Sequence, residues 1–240
     1  MTPQQQLQQW IADSGSIVFF GGAGVSTESG IPDFRSVDGL YRQQYDEPPE
    51  TILSHTYFQR RTADFYRFYR AKMLCLDAQP NAAHRKLAEL EAAGKLKAVV
   101  TQNIDGLHQA AGSRTVYELH GSIHRNYCTQ CHAFYGPDFI AGGEGVPLCP
   151  VCGGLVKPDV VLYEEGLDQE TVKGAVEAIR RADVLIVGGT SLVVYPAAGL
   201  INYSGGNRLG LINRDPTPCD AQADLVIHDS IGRVLGGIAL

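Results

Sequence analysis

The stretch Ser16-Ile-Val-Phe-Phe-Gly-Gly-Ala-Gly-Val-Ser26 joins a continuous apolar run to a series of closely spaced glycines. An apolar run bounded by glycines predicts a strand that is buried on both faces of a sheet. A glycine turn after such a strand exposes backbone N–H groups that can bind phosphate. Thr27 stands where the dinucleotide fingerprint has its third glycine, and no second strand with a terminal acid follows about 20 residues later. Any dinucleotide therefore binds in a variant manner.

Buried strands and helices alternate along much of the chain. Further apolar runs occupy residues 97–101, 182–188 and 209–213, with a weaker run at 224–228. Helical periodicity falls between several of them, and Asn81 can cap one such helix. This alternation predicts an α/β fold, a Rossmann-like parallel sheet with helices on both faces.

Two stretches break the alternation. Residues 37–79 are rich in aromatic and charged side chains and predict a helical insertion, whereas residues 125–155 hold paired cysteines and many turn formers. We expect these two stretches to form one small domain with a zinc-binding module. The Rossmann-like domain would then comprise residues 1–36, 80–124 and 156–240, and the cleft between the domains is the expected ligand site.

Four of the six cysteines form two CxxC pairs that are separated by seventeen residues. This spacing is typical of two zinc knuckles that together complete a tetrahedral thiolate site. Because four thiolates leave no position for water, we predict one structural zinc ion that takes no part in catalysis. His124 and His132 lie nearby, but a complete set of thiols favours solvated loop histidines. The predicted ligands are Cys128, Cys131, Cys149 and Cys152.

Composition excludes several classes of protein. The 240 residues allow one large domain, or a main domain with a smaller insertion. With 26 acidic and 20 basic side chains the net charge is −6, so no overall positive field attracts a nucleic acid. No apolar stretch approaches the roughly 18 residues of a membrane span, and the N-terminus has no secretory pattern. We expect a cytoplasmic protein without direct nucleic-acid or membrane binding, and the composition is compatible with a monomer.

The segment Gly22-Ala-Gly-Val-Ser-Thr-Glu-Ser-Gly-Ile-Pro-Asp-Phe-Arg35 resembles the first signature of the sirtuins, a family of NAD-dependent protein deacylases. Thr101-Gln-Asn-Ile-Asp105 is similar to the second signature and Glu118-Leu-His-Gly121 to the third. The paired cysteines resemble the zinc module, and Gly189-Thr-Ser-Leu-Val-Val-Tyr-Pro196 resembles the nucleotide loop. The resemblance covers residues 17–231 and implies NAD-dependent deacetylation of lysines in protein substrates, with transfer of the acetyl group to ADP-ribose and release of nicotinamide.

The resemblance implies catalytic roles for His120 and Asn103. His120 follows a strand-like run, and a neutral imidazole can accept the proton of a ribose hydroxyl. Asn103 and Asp105 are two residues apart, so an extended backbone presents both to one face, where they would line the nicotinamide pocket. An Asx turn at the end of the strand is an equally compatible interpretation. Gln102 would contact the ribose.

The implied cofactor site extends into the loop after the first signature. Phe34 would cover the anomeric carbon and exclude water, although a core anchor is the alternative for this ring. The Arg35 guanidinium would hold the diphosphate. The remaining implied NAD contacts are Gly22, Ala23, Gly24, Ser26, Asp33, Gly189, Thr190, Ser191 and Asn213.

Residues 157–163 and 192–195 are Val-rich and predict extended edges between which a substrate peptide could add as a strand. An ordinary sheet edge is the alternative. Desuccinylase-like sirtuins place Tyr and Arg three residues apart, but here Tyr66 is followed by Tyr69, so we expect a neutral acyl group, acetyl first. The predicted substrate contacts are Val161, Leu162, Tyr163, Val193 and Tyr66.

The chain departs from the family pattern at three places. Gly21 replaces a threonine, Lys157 replaces an arginine, and Tyr163-Glu164-Glu165 replaces Phe-Gly-Glu. The last two lie in the implied peptide-binding segment, so they bear on substrate preference rather than on cofactor use. Two other functions stay open: NAD hydrolysis or ADP-ribosyl transfer at the same site, and a zinc-ribbon regulator that binds nucleic acid. The acidic charge and the absence of a basic run beside the cysteines oppose the second.

Overall fold

The computed structural model describes residues 1–34, 39, 47–206 and 208–240. Arg35, the predicted diphosphate ligand, lies outside the described residues, as does part of the predicted helical insertion. Within the described residues, no helix combines the length and the apolar character that crossing a bilayer requires.

Six parallel strands form the main sheet. Its order is β3-β2-β1-β7-β8-β9, the strand arrangement of a Rossmann fold. The strands are β1 (Ile17–Gly21), β2 (Leu96–Thr101), β3 (Val116–Glu118), β7 (Val184–Gly188), β8 (Arg208–Ile212) and β9 (Leu225–Ile227). The prediction of a parallel sheet is therefore confirmed.

Helices cover both faces of this sheet, because the side chains of β1 alternate between two apolar clusters. Ile17 and Phe19 pack with α1, α5 and α9, whereas Val18 and Phe20 pack with α8 and a 3-10 helix that follows β7. These elements are α1 (Pro3–Asp13), α5 (Ala82–Ala92), α8 (Gln169–Arg181), α9 (Ile231–Gly236) and the 3-10 helix Ala197–Tyr203. The helix after Asn81 begins as predicted, because the Asn81 side chain accepts hydrogen bonds from the first turn of α5.

A small lobe combines the helical and cysteine-bearing stretches. Its strands form an antiparallel sheet in the order β5-β4-β6, and one apolar cluster joins that sheet to the helices. Its elements are α2 (Pro49–Ile52), α3 (His55–Arg60), α4 (Thr62–Lys72), β4 (Gly121–Cys128), β5 (Phe134–Tyr135), α7 (Pro137–Ala141) and β6 (Val156–Val160). A short helix, α6 (Leu107–Ala110), lies between β2 and β3. The domain boundaries stay a prediction, and β4 runs through the one placed at 124/125.

Candidate active site

A cavity of about 510 Å³ lies at the carboxyl ends of the central strands, between the main sheet and the small lobe. The residue directly after each of β1, β2, β7 and β8 lines it: Gly22, Gln102, Gly189 and Asn213. This edge is where open α/β sheets bind their ligands. The other predicted cofactor and catalytic residues along it are Ala23, Gly24, Ser26, Asp33, Phe34, Asn103, Asp105, His120, Thr190 and Ser191.

The glycine loop, residues 22–26, lies directly on the turn after β7. The Gly24 N–H donates to the Gly189 carbonyl over 2.8 Å. A Cβ at Gly24 would lie 2.9 Å from Gly189 Cα, and a Cβ at Gly22 would lie 2.8 Å from Thr190 Cβ. Glycine is therefore required at both positions, because the loop packs closely against residues 189 and 190.

Ser26, Asn103 and Asp105 form one hydrogen-bonded network. Ser26 Oγ donates to Asp105 Oδ2 over 2.6 Å, and Asn103 Nδ2 donates to Ser26 Oγ over 3.0 Å. Asp105 Oδ1 accepts from the N–H of Leu107 over 3.0 Å. The Asx turn considered from the sequence is thus present, and Asp105 also faces the cavity. The network joins the second signature to the glycine loop.

His120 lines the cavity just after β3 with one ring nitrogen already engaged. Its Nδ1 lies 3.0 Å from the carbonyl of Gln102, so Nδ1–H is the donor and Nε2 carries the lone pair. Burial lowers the pKa of His120, and the Gln102 carbonyl offsets this in part. The imidazole is therefore neutral near pH 7 and can accept a proton at Nε2.

Residues 161–165, which include three of the predicted substrate contacts and are called the peptide segment here, follow β6 and form the small-lobe side of the cavity. The N–H of Val161 donates to the carbonyl of His120 over 3.0 Å. The backbone N–H of Tyr163 donates to the Leu53 carbonyl, and the Tyr163 carbonyl accepts from the N–H of His55. Of the predicted substrate contacts, Val161, Leu162 and Tyr163 line the cavity.

Two departures from the expected pattern, Glu164 and Lys157, tie the peptide segment to its surroundings together with Glu165. Glu164 has a left-handed φ of 75°, and its Oε2 accepts from Thr56 N over 2.9 Å and from Thr56 Oγ1 over 2.7 Å. Glu165 forms an ion pair with Lys157 at 3.1 Å, and its Oε1 lies at hydrogen-bond distance, 2.8 Å, from His55 Nδ1. These hydrogen bonds and charges hold the pKa of both carboxyls below the usual range, although burial opposes this at Glu165.

Two predicted substrate contacts do not reach the cavity. Tyr66 is fully buried in the small-lobe core, and its hydroxyl donates to the Val156 carbonyl, so the prediction of a substrate contact is wrong. Burial raises the pKa of Tyr66. Val193 is 45% exposed and lies outside the cavity, whose wall here is formed by Val194 and Tyr195. The expectation of an extended edge at 192–195 is also wrong, because Leu192 has a left-handed φ of 55° that bends the chain.

Some residues that line the cavity were not predicted from the sequence. Ile104 lies between two predicted contacts, and Arg214 follows Asn213 at the end of β8. Their positions in the sequence beside predicted contacts could have indicated them. Met73 and Cys75 come from the chain after α4, and no local pattern marked them. From the sequence, a single cysteine or methionine in an apolar core cannot be distinguished from one in a binding site.

The four predicted zinc ligands meet in the small lobe. All four sulfur atoms lie within 4.8 Å of one another, with separations of 3.4 Å for Cys128–Cys152 and 3.6 Å for Cys131–Cys149. A tetrahedral zinc–thiolate site has sulfur atoms about 3.8 Å apart, so this set fits one zinc ion. The Tyr135 hydroxyl lies 3.0 Å from Cys149 Sγ, and the hydrogen bond between them lowers the pKa of that thiol to about 6.

The two histidines near the cysteines are not part of this group. His124 Nε2 lies 2.9 Å from the Asp105 carbonyl, and both His124 and His132 are exposed. Among the residues that the structure describes, the four thiols are the only potential metal cluster.

The main sheet has Rossmann order, and its ligand edge carries the glycine loop and a neutral histidine. Together with the four-thiolate lobe, these features define an α/β protein of the sirtuin type. The model of the Sir2 family matches residues 22–196. The chain is 62% identical over 233 residues to an NAD-dependent protein deacetylase of Clostridium acetobutylicum, covering 96% of this chain and 95% of that protein. Another from Clostridium perfringens is 59% identical over 236 residues, covering 97% of each.

Solved structures are similar over the whole fold. One, from a study of the mechanism and regulation of Sir2 enzymes, has a TM-score of 0.89 at 43% identity, covering 98% of this chain and 96% of that chain. A Sir2 histidine variant with deacetylated p53 peptide and 3'-O-acetyl ADP-ribose has a TM-score of 0.91 at 38% identity, covering 98% and 99%. The chain belongs to the Sir2 family, the sirtuins.

Proposed function

We propose that the chain is an NAD-dependent protein lysine deacetylase that transfers the acetyl group of a lysine to ADP-ribose and releases nicotinamide. The observation that carries this proposal is the convergence of the glycine loop, the Asn103–Asp105 pair and the neutral His120 on one cavity. Relatives bear the name NAD-dependent protein deacetylase. A related Sir2 structure was solved with a p53 peptide and NAD.

The residues present fit a dinucleotide. The glycine loop lines the cavity directly after β1, which is the position at which α/β sheets bind phosphate, so a diphosphate there would meet the backbone of Ala23 and Gly24. Gln102, Ser191 and Asn213 supply polar groups for the riboses further along the same edge. When bound, NAD supplies a glycosidic bond whose cleavage frees nicotinamide and leaves the sugar open to attack by the acetyl oxygen.

The nicotinamide end of the cavity is assigned to Asn103 and Asp105. The Asp105 carboxylate would accept from the carboxamide NH₂ of nicotinamide, and Ser26 and Leu107 hold that carboxylate in place. Phe34, which lines the cavity and packs against the small-lobe core, would exclude water that could otherwise replace the acetyl oxygen as nucleophile.

His120 acts as the general base. Its Nε2 accepts the proton of a ribose hydroxyl, and the hydrogen bond from Nδ1 to Gln102 fixes the required tautomer. The substrate is an acetyl-lysine side chain of a protein, whose backbone lies along Val161, Leu162 and Tyr163. The four cysteines hold one zinc ion that stabilises the lobe supporting this segment.

Mass spectrometry tests this proposal directly. The purified chain is given NAD with acetyl-, succinyl- or long-acyl-lysine peptides, and O-acyl-ADP-ribose is measured. We expect a peptide-dependent O-acetyl-ADP-ribose product and the highest rate with acetyl-lysine. Free ADP-ribose formed at the same rate without peptide would indicate an NAD hydrolase instead.

His120→Ala is the matched variant for this assay. We expect kcat to fall about 100- to 10,000-fold, because a general base contributes roughly that factor. Zinc content and melting temperature should stay near those of the unaltered chain. Preserved turnover would remove His120 from the role of base.

A further inference from the structure

Two buried histidines lie beneath the candidate active site and have no part in the chemistry proposed above. His84 is in the first turn of α5 and His108 is in α6, and both are at most 1% exposed. Their rings pack edge to face with centroids 4.7 Å apart. Burial lowers the pKa of both imidazoles, so each is neutral, with one donor and one acceptor nitrogen.

Each member of this imidazole pair is joined to a different part of the nicotinamide end. His108 lies three residues after Asp105, whose Oδ1 accepts from the N–H of Leu107 in the same short helix. His84 Nδ1 accepts from the N–H of Asn81. Asn81 Nδ2 in turn donates to the Val25 carbonyl of the glycine loop over 2.7 Å. The His84–His108 pair therefore connects Asn81, which holds the glycine loop, with α6, which holds Asp105.

Three of the four ring nitrogens of the pair have no protein partner in the described part of the chain. They are Nε2 of His84 and both ring nitrogens of His108, and Oγ of Ser113 beside them is also buried and unpartnered. Ser113 is held in place because its N–H donates to the His108 carbonyl over 3.0 Å. Buried polar groups are almost always paired with protein or with ordered water.

The donors and acceptors of these three side chains match one water molecule. Because His84 Nδ1 is an acceptor, its Nε2 carries a hydrogen. The two ring nitrogens of His108 point to opposite sides of the ring, so one of them can face this water, and the Ser113 hydroxyl can either donate or accept. A buried water typically makes about three hydrogen bonds, so it can bond one nitrogen of each imidazole and the Ser113 hydroxyl.

We propose that His84, His108 and Ser113 enclose a bound water molecule, and that this hydrated pair positions Asp105 and the glycine loop for nicotinamide. The second half of the proposal rests on the proposed function. The pair does not touch the reacting atoms, so both histidines are positioning residues. Apolar rings of the same size would fill the space between α5 and α6 but could not bind the water.

The experiment compares His108→Phe, which keeps an aromatic ring, with His108→Gln, which restores polar atoms. Gln109→Ala, on the exposed side of α6, is the control. Each variant is assayed for the nicotinamide inhibition constant, the KM for NAD, and the KM for an acetyl-lysine peptide. Water is detected in the unaltered protein by NMR, as nuclear Overhauser effects from a long-lived water to the His84 and His108 ring protons.

We expect the water signal in the unaltered protein and its loss in His108→Phe. The nicotinamide inhibition constant and the KM for NAD should rise about fivefold in His108→Phe, with the peptide KM changed less than twofold. His108→Gln should recover at least half of this effect, and Gln109→Ala should show none. If His108→Phe does not fold, Ser113→Ala should weaken the water signal and raise the nicotinamide constant about twofold.

Several results would overturn the inference. They are the absence of the water signal from the unaltered protein, a folded His108→Phe with an unchanged nicotinamide constant, and a peptide KM that rises as much as the NAD KM. A chain that shows no deacetylation before any substitution would instead contradict the proposed function, so the two failures are distinguishable.

Discussion

The glycine-loop side and the peptide side of the cavity are held by different kinds of contact. On the glycine-loop side, backbone lies against backbone, and a Cβ at Gly24 would come within 2.9 Å of Gly189. On the peptide side, the backbone hydrogen bonds of Val161 and Tyr163 are supplemented by side-chain ties, chiefly from Glu164 and Glu165. Backbone contacts tolerate no change of residue, whereas side-chain contacts can be exchanged. The departures from the family pattern are Gly21 on the first side, and Lys157, Tyr163 and Glu164 on the second.

Removal of the zinc ligands should have the largest effect on activity. It removes the support of the small lobe, which carries the peptide side of the cavity. We expect Cys128→Ala combined with Cys149→Ala to lose the bound zinc and all deacetylation, since metal binding and folding of such lobes are coupled. Zinc is measured per chain by mass spectrometry and folding by thermal melting. One zinc per chain in the double variant would contradict the four-thiolate site.

Gly24→Ala should break the glycine-loop side with little effect on the peptide side. The new Cβ would push the loop away from Gly189, so we expect the KM for NAD to rise about 10- to 100-fold, or roughly 1.4 to 2.7 kcal/mol. The peptide KM should change less than twofold. Gly15→Ala is the control, because a Cβ there meets nothing within 4 Å. An equal rise in both KM values would show that the two sides are not independent.

The pH dependence of catalysis should be shallow on the acid side. Burial lowers the pKa of His120 below its ordinary value of about 6.5, so the neutral base persists to more acid pH and is lost only as the pH falls through that lowered value. We expect kcat/KM to fall less than about tenfold between pH 7.5 and pH 5.5. A larger fall would mean that the His120 pKa is not lowered, and initial rates across this range decide between the two.

Glu164→Gly, which restores the family residue, should have the smallest effect. The variant loses the hydrogen bonds from Thr56, but glycine adopts the left-handed φ of 75° without strain. These effects oppose each other, so we expect a melting temperature within about 4 °C of the unaltered chain and a peptide KM raised about two- to threefold. Glu164→Gln separates charge from conformation, and a change in the KM for NAD would contradict the assignment of Glu164 to the peptide side.

The central sheet could be predicted from the sequence because its strands are covered on both faces. Continuous apolar runs such as 17–20 and 184–187, when glycines delimit them, have few interpretations other than a buried strand. The edge strand β9 is shorter and carried the weaker signal. The glycine loop and the polar ends of the strands could be predicted for the same reason, since parallel strands bring their carboxyl ends together.

The peptide side could not be predicted to the same depth, because its contacts depend on tertiary packing. In α4 the aromatic residues Phe65, Tyr66, Phe68 and Tyr69 are all buried, so helical spacing could not show that Tyr66 faces the core. Nothing local indicates that Leu192 is left-handed or that Glu164 reaches Thr56. At Gly21 the structure supplies a reason for the departure, because a Cβ there would lie 2.6 Å from the Phe19 ring.

The attachment of the peptide segment through Glu164, Glu165 and Lys157 has an evolutionary consequence. Two of these three side chains depart from the family pattern, so a substitution here changes how this segment is held and leaves the close packing of the glycine loop as it is. Under the proposed function, substrate preference should therefore diverge among related chains more readily than the use of NAD.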